Sequence, residues 1–169
     1  MPLAMSLVPV DRQFEGCRSV MFVVCHVCPR MHFAWEHHEP LFSPAMLFGR
    51  GSAFSRYLTA LPRDAQARGQ RSALFRTSPM AAACLWSTAL GEKFRCAGAG
   101  YEAFGVVGCE SAARTVSQIF PGRHVVQLVR VEGIANLTLR NRWPLTVEVA
   151  AAASVPMGEI RSGQRESRT

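Results

Sequence analysis

Short, strongly apolar runs alternate along the chain with longer segments of helical periodicity. The clearest run, Arg18–Val27, is rich in β-branched residues and has the pattern of a strand buried on both faces, as in the centre of a parallel sheet. Four further runs have strand-like character: "SALFR" (72–76), "YEAFGVVGC" (101–109), "HVVQLVRVEGI" (124–134) and "WPLTVEVAA" (143–151). The pattern therefore predicts about four to five strands.

Helical spacing of apolar residues predicts helices between these runs. Two of them begin with a serine followed by proline, the pattern of an N-cap and a first helical residue, at Ser43-Pro44 and Ser78-Pro79. The prolines of residues 29–44 disfavour a long helix before residue 44, so we expect an irregular segment there. The other helical segments are a polar helix over about 63–69, "MAAACLWSTALGEKF" (80–94) and "ESAARTVSQIF" (110–120).

The order of elements predicts an α/β fold, three-layered and Rossmann-like, with a mostly parallel sheet of about four to five strands. No helical pattern separates the last two strands, so an antiparallel edge is compatible with the order. We expect a single domain over residues 1–157, in which residues 1–15 form an irregular arm. The polar residues 158–169 are expected to be a disordered tail.

The formal net charge of +7 raises the question of nucleic-acid binding. The basic residues are eighteen arginines and one lysine, a skew typical of a GC-rich genome, and they are scattered rather than collected in a stripe interleaved with aromatic residues. A nucleic-acid-binding protein is therefore only the third interpretation. No apolar run approaches the ~18 residues that cross a bilayer, and the first residues lack the pattern of a secretion signal. We expect a cytoplasmic protein without a membrane partner.

The positions of the six cysteines are more informative than their number. In a cytoplasmic chain of this size, reduced thiols are expected rather than a disulfide framework. Ligands of open α/β sheets bind outside the carboxyl ends of the strands. Cys25 and Cys28 follow the first strand, Cys109 follows "AFGVVG", and Cys84 lies early in the helix after "SALFR". The sequence therefore predicts that these cysteines converge at one crevice.

Cys109 is the predicted catalytic thiol, with Glu110 as a neighbouring acid or base. It stands at a strand-to-helix turn, where backbone N–H groups and the helix dipole stabilise a thiolate. The placement resembles the cysteine nucleophile elbow of glutamine amidotransferases, and the resemblance implies a nucleophilic role. It departs from that pattern because no glycine stands two residues after the cysteine. The alternative is a small apolar residue that closes a buried strand.

The stretch "VMFVVCHVCPRMHFAWEHHEP" (20–40) permits several interpretations. Cys25 and Cys28 form a C-x-x-C that is similar in placement to the redox pair of thioredoxins. Together with His32 and His37 they give a C-x2-C-x3-H-x4-H spacing that predicts a zinc site. Cys25 or Cys28 with two distant cysteines would instead form a three-thiolate site for an iron–sulfur cluster with one open iron. The remaining alternative is a buried strand that ends in core cysteines, followed by exposed histidines.

The three-thiolate set consists of Cys25 or Cys28 together with Cys84 and Cys109. One cysteine from each of several strand-end loops is similar to the placement in the thiouracil desulfidase family, whose own motifs this chain lacks. The sequence thus predicts a cysteine-based sulfur or redox protein acting on a small-molecule thiol or persulfide, as an enzyme of desulfidase or oxidoreductase type. An iron–sulfur cluster or zinc is the expected cofactor. The alternative function is a non-catalytic zinc-binding interaction module.

Overall fold

The computed structural model describes residues 3–10, 12–42, 51–77, 82–142 and 146–156. Within them the chain forms seven strands, four α-helices and one short 3₁₀ helix. The strands are β1 (Leu3–Leu7), β2 (Ser19–Val24), β3 (Arg71–Phe75), β4 (Ala103–Val107), β5 (His124–Gln127), β6 (Val129–Arg142) and β7 (Thr146–Pro156). The helices are α1 (Cys28–Glu36), α2 (Ala53–Ala67), α3 (Thr88–Gly98) and α4 (Glu110–Ile119), and the 3₁₀ helix is Ala83–Leu85.

Four of the strands form a parallel sheet in the order β3-β2-β4-β5. This confirms the predicted α/β class with a parallel sheet. After β2 the chain forms β3 on one side of it and then returns to form β4 on the other side. The strand order therefore reverses between β2 and β4. At such a reversal, open α/β sheets leave a ligand-binding crevice outside the carboxyl ends of the two strands.

Helices cover both faces of the parallel sheet. Phe22 of β2 lies in an apolar cluster with Phe54 of α2, whereas Val23 lies in a second cluster with Phe94 of α3. Every residue of β2 is buried. Burial on both faces explains why this segment is a continuous apolar run instead of an alternating one.

The other strands form a separate antiparallel sheet in the order β1-β6-β7. The predicted strand 124–134 is divided at Leu128, whose backbone N–H donates to the Val106 carbonyl at 2.8 Å while its own carbonyl accepts from Val8 at 3.0 Å. The antiparallel strands are thus a second sheet and not an edge of the first. Residues 1–15 were expected to be irregular, and that expectation is wrong over β1, which pairs with β6.

Two expectations about prolines are also corrected. Helix α1 forms although Pro29 lies within it, because the proline occupies the first turn, where its missing N–H has no helical acceptor. Helix α2 continues through Pro62, so the predicted helix over 63–69 is the last part of α2. Gly69 follows the helix end with φ +79°, a conformation that glycine adopts without strain.

Helix α3 begins later than the pattern predicted. Ser87 is its N-cap, and its hydroxyl oxygen accepts from the Leu90 N–H at 3.3 Å. In the described part of the predicted helix 80–94, Ala83–Leu85 form the 3₁₀ helix and its flanking residues Ala82 and Trp86 are extended. Three predictions lie outside the described residues: the helix starts at Ser43-Pro44 and Ser78-Pro79, and the tail at 158–169.

Candidate functional site

The ends of β2 and β4 bring two cysteine-containing loops side by side. Val24 and Val107 are paired in the parallel ladder, and the Cys25 N–H donates to the Val107 carbonyl at 2.9 Å. A Cβ at Gly108 would lie 3.0 Å from the Cys25 Cβ, so a glycine permits this close approach. Cys109 comes directly after that glycine. The structure places Cys25 and Cys109 at the carboxyl ends of β2 and β4, as the sequence predicts.

Four cysteines from separate segments surround this edge. Cys25 is buried, Cys28 and Cys109 are half-buried, and Cys84 is exposed. Cys28 is the first residue of α1, Cys109 is the N-cap of α4, and Cys84 lies in the 3₁₀ helix, which packs on α4. We call these four side chains the thiol cluster.

The members of the thiol cluster influence one another electrostatically. Burial, followed by the proximity of the Cys25, Cys109 and Cys84 sulfurs, raises the pKa of Cys28 to about 11. Burial also raises the pKa of Cys84, with Cys25 and Cys109 adding to the effect. Like charges in a poorly solvated place disfavour each other, so Cys28 and Cys84 are neutral thiols at neutral pH.

Cys109 lies at the N-terminus of α4. Its backbone is extended, and its carbonyl accepts from the N–H groups of Ala112 and Ala113 at 3.0 and 3.1 Å, which starts α4. The Cys109 sulfur does not cap the helix. Cys109 thus stands next to the positive end of a ten-residue helix. Glu110 lies exposed in the first turn of α4, next to Cys109 but directed into solvent.

The structure gives His32 a structural role. This histidine is buried, and its Nδ1 accepts from the Met5 N–H at 3.4 Å while its Nε2 lies 3.2 Å from a Glu36 carboxylate oxygen. Burial lowers the pKa of His32, although Glu36 opposes the effect. Both ring nitrogens thus have partners, and the ring links α1 to β1.

His37 lies at the opposite end of α1 from Cys28. It is exposed, it is the C-cap of the helix, and its ring stacks on Phe33 with centroids 5.6 Å apart. A rise of ~1.5 Å per residue separates His37 from Cys28 by about 13 Å along the axis. Zinc holds its ligands at about 2.0–2.3 Å, so Cys25, Cys28, His32 and His37 do not come together as one site. Among the residues that the structure describes, no group of three or more His, Cys, Asp or Glu side chains is placed to hold a metal ion.

Three basic side chains that sequence reasoning did not single out lie at the same edge as the thiol cluster. His26 lies in the loop between β2 and α1, Arg30 in the first turn of α1, and Arg76 directly after β3. Burial and then the positive charges of Arg30 and Arg76 lower the pKa of His26. We call His26, Arg30 and Arg76 the basic cluster. Arg76 is far from the other two in sequence and lies near them only because β3 pairs with β2.

Comparison with protein-family models, with curated proteins and with solved structures found no match to this chain. Within the described part of the chain, none of the helices combines the length and the apolar character that crossing a bilayer requires.

Proposed function

We propose that this chain is a thiol-dependent sulfur or redox protein of Rossmann-like architecture, with the thiol cluster as its reaction site. The observation that carries the proposal is the convergence of Cys28 and Cys109 where the sheet order reverses between β2 and β4. Crevices at such points are where open α/β sheets bind ligands. The four parallel strands with helices on both faces support the Rossmann-like assignment.

Position and exposure assign a different role to each thiol. Cys109 is half-buried and stands at the positive end of α4, so it is the attacking thiolate. Cys28 is half-buried and protonated at neutral pH, so it is the second thiol. Cys25 is only 2% exposed, and an incoming sulfur compound does not reach it.

The proposed reaction with a disulfide substrate is a two-step exchange. The Cys109 thiolate attacks one substrate sulfur, which forms a mixed disulfide and releases one thiolate that takes up a proton. Cys28 then loses its proton and attacks the Cys109 sulfur, which releases the second substrate thiol and leaves a Cys28–Cys109 disulfide. The substrate gains two electrons from the two cysteines, and a cellular dithiol reductant regenerates them.

A persulfide follows the same course. Cys109 takes the outer sulfur and releases the substrate thiol, and attack by Cys28 on the Cys109 sulfur then releases that sulfur as hydrogen sulfide.

The electrostatics of the thiol cluster couple the two steps. The Cys109 sulfur is one of the neighbours that raise the pKa of Cys28. Once Cys109 is part of a mixed disulfide it carries no negative charge, so ionisation of Cys28 becomes more favourable. The first step thus prepares the second.

An iron–sulfur cluster or zinc on the same cysteines is the alternative cofactor chemistry. The described residues form no group placed to hold a metal ion. The proposal therefore assigns the chemistry to the thiols themselves, and metal content is one of the outcomes that the test measures.

The test uses the Cys28→Ser variant with oxidised glutathione as the disulfide. Without the second thiol, the mixed disulfide on Cys109 should accumulate and be visible as a glutathione adduct by mass spectrometry. The matched control is Cys96→Ser, which removes an exposed cysteine on α3 and should not trap an adduct. Iron with acid-labile sulfide in anaerobically purified protein, lost in Cys84→Ser and Cys109→Ser, would replace the exchange mechanism with the cluster alternative. Equal labelling of Cys109 and Cys96 would contradict a special reactivity of the site.

A further inference from the structure

The basic cluster lies beside the thiol cluster on its β3 side. The parallel register pairs Val23 with Phe75, the last residue of β3, so Arg76 continues next to Val24 across an inter-strand distance of ~4.8 Å. His26 follows Val24 by two residues. Basic side chains from two neighbouring strand ends thus meet at the edge that carries Cys25.

The ring of His26 has a polar atom without a partner. Its Nε2 is buried and makes no hydrogen bond within the described part of the molecule, and its ring stands edge-on to Phe54 with centroids 6.0 Å apart. An unpaired buried polar atom is costly, and native proteins satisfy nearly all of them with protein, solvent or ligand. A ligand oxygen would provide that partner.

The charges around His26 are positive. Arg30 and Arg76 are the charged groups that act on its pKa. The Glu39 carboxylate lines a pocket with Arg30, but it accepts from the Ala53 N–H at 2.6 Å and from the Arg56 guanidinium at 3.2 Å. The guanidinium of Arg30 donates to the Leu41 carbonyl at 2.8 Å, which fixes its position, and Arg76 is exposed. The loop also leads into the N-terminus of α1, which has no side-chain cap and no acidic residue in its first turn. The arrangement therefore concentrates positive charge.

We propose that the basic cluster binds an oxyanion group of the substrate, so that the substrates of this protein are anionic thiols, disulfides or persulfides. Arg76 and Arg30 supply charge-assisted hydrogen bonds, and His26 Nε2 supplies a further contact. A bound carboxylate, phosphate or sulfonate would hold the sulfur of the same molecule near the thiol cluster. The sulfur part of this assignment rests on the proposed function, whereas the anion part does not.

The test of the anion site uses inorganic phosphate and sulfate as probes, measured by the thermal unfolding midpoint of the full chain with chloride at matched ionic strength as reference. Binding to the folded state alone raises the midpoint in a saturable way. The Arg76→Gln variant should weaken the apparent affinity by about tenfold or more, because it removes a charge-assisted contact. His26→Gln should weaken it as well. Arg123→Gln is the matched control, since it removes the same charge from the turn before β5, at the opposite edge of the sheet.

A saturable shift that Arg76→Gln abolishes and Arg123→Gln preserves supports the site. The absence of a saturable shift overturns it, and so does equal weakening in Arg76→Gln and Arg123→Gln, which would show only the effect of net charge. The same titration in Cys109→Ser keeps the two proposals apart. An unchanged phosphate shift in Cys109→Ser, together with no glutathione adduct on Cys109 in the Cys28→Ser experiment, would remove the thiol function while the anion site stands.

A second measurement links the two clusters. Iodoacetate is anionic and iodoacetamide is neutral, and both alkylate the same thiols. The ratio of their rates at Cys109 should fall about fivefold or more in Arg76→Gln, since fixed positive charge favours the anionic reagent, and should not change in Arg123→Gln. An unchanged ratio in Arg76→Gln would place any anion away from the reactive sulfur and overturn the assignment of anionic sulfur substrates.

Discussion

The Cys25 N–H donates a hydrogen bond of 2.9 Å to the carbonyl oxygen of Val107. This bond continues the β2–β4 pairing one residue beyond the end of β2, and it fixes the first cysteine beside the loop that carries Cys109. The approach is close because Gly108 has no side chain. Backbone hydrogen bonds of the parallel sheet therefore hold Cys25 beside the loop that carries Cys109. This placement does not depend on the positions of long side chains.

Gly108→Ala should destabilise the protein. The new Cβ would lie 2.7 Å from the Ala112 Cβ and 3.0 Å from the Cys25 Cβ, and neither atom can move without its backbone. We expect the free energy of unfolding in denaturant to fall by about 1–3 kcal/mol, the cost of overpacking a core. Gly91→Ala is the control, because its Cβ would meet only the Ile119 Cδ1 at 3.8 Å, within a helix that alanine favours. It should leave stability unchanged or raise it, and equal losses in both variants would contradict the close packing at Gly108.

Alkylation of Cys28 should depend steeply on pH. Its pKa of about 11 means that the thiolate fraction rises about tenfold for each pH unit between pH 7 and 10. Rates for the individual cysteines, measured by peptide mass spectrometry with iodoacetamide, should show this rise without a plateau. Cys109→Ala removes one of the sulfurs that raise the pKa of Cys28, so the curve should move to lower pH. A plateau below pH 9 in the wild-type protein would show that Cys28 is not held neutral by its surroundings.

The free energy of unfolding should fall as the pH decreases below about 6.5, in part because of His32. Burial keeps this ring neutral in the folded protein, whereas the unfolded chain binds a proton near the usual pKa of 6.5. The unfolded state thus binds more protons in this range, so acid favours unfolding. Protonation of Nδ1 would also remove the acceptor of the Met5 N–H.

His32→Asn provides the comparison for that pH dependence. The asparagine amide oxygen accepts a hydrogen bond at the position of Nδ1 but does not titrate. The difference in unfolding free energy between wild type and variant should shrink as the pH is lowered from 7 to 5, which also subtracts the contribution of His26. A difference that is constant over this range would mean that His32 does not titrate differently on folding.

Cys25→Ala should leave the reaction intact. Cys25 is buried in the cluster formed with α3 and α4, and its thiol is shielded from an incoming sulfur compound. We expect a stability loss of about 1 kcal/mol, measured by denaturant unfolding, together with an unchanged Cys28–Cys109 exchange. Loss of that exchange in a folded Cys25→Ala protein would instead identify Cys25 and Cys28 as a redox pair.

The buried strands could be predicted because their physical requirement is local. Strands β2 and β4 are apolar on both faces and are followed by a cysteine and a glycine, so the apolar run itself defines them. Strand β1 was missed because its five residues gain their stability from pairing with β6 far along the chain. The sequence does not predict helix α1, because proline disfavours a helix interior, but Pro29 occupies the first turn, where proline is tolerated.

The sequence also predicts part of the candidate site, namely its cysteines. The order of strands and helices placed Cys25, Cys28 and Cys109 at one edge, and the structure agrees. The spacing to His32 and His37 is compatible with a zinc site only if residues 28–36 are irregular. A helix in that segment separates the two histidines from the cysteines. The basic cluster depends on which strands are neighbours, and periodicity along the sequence contains no such information.

The assignment of Cys28 and Cys109 as the reacting pair is tested most directly by mapping the disulfide that forms when the reduced, metal-free protein is treated with oxidised glutathione. We predict a Cys28–Cys109 disulfide as the main product in tryptic peptides, with the same product in Cys96→Ser and none in Cys109→Ser. A disulfide between Cys25 and Cys28, or random oxidation led by the exposed Cys84 and Cys96, would contradict the assignment of Cys28 and Cys109 as the reacting pair.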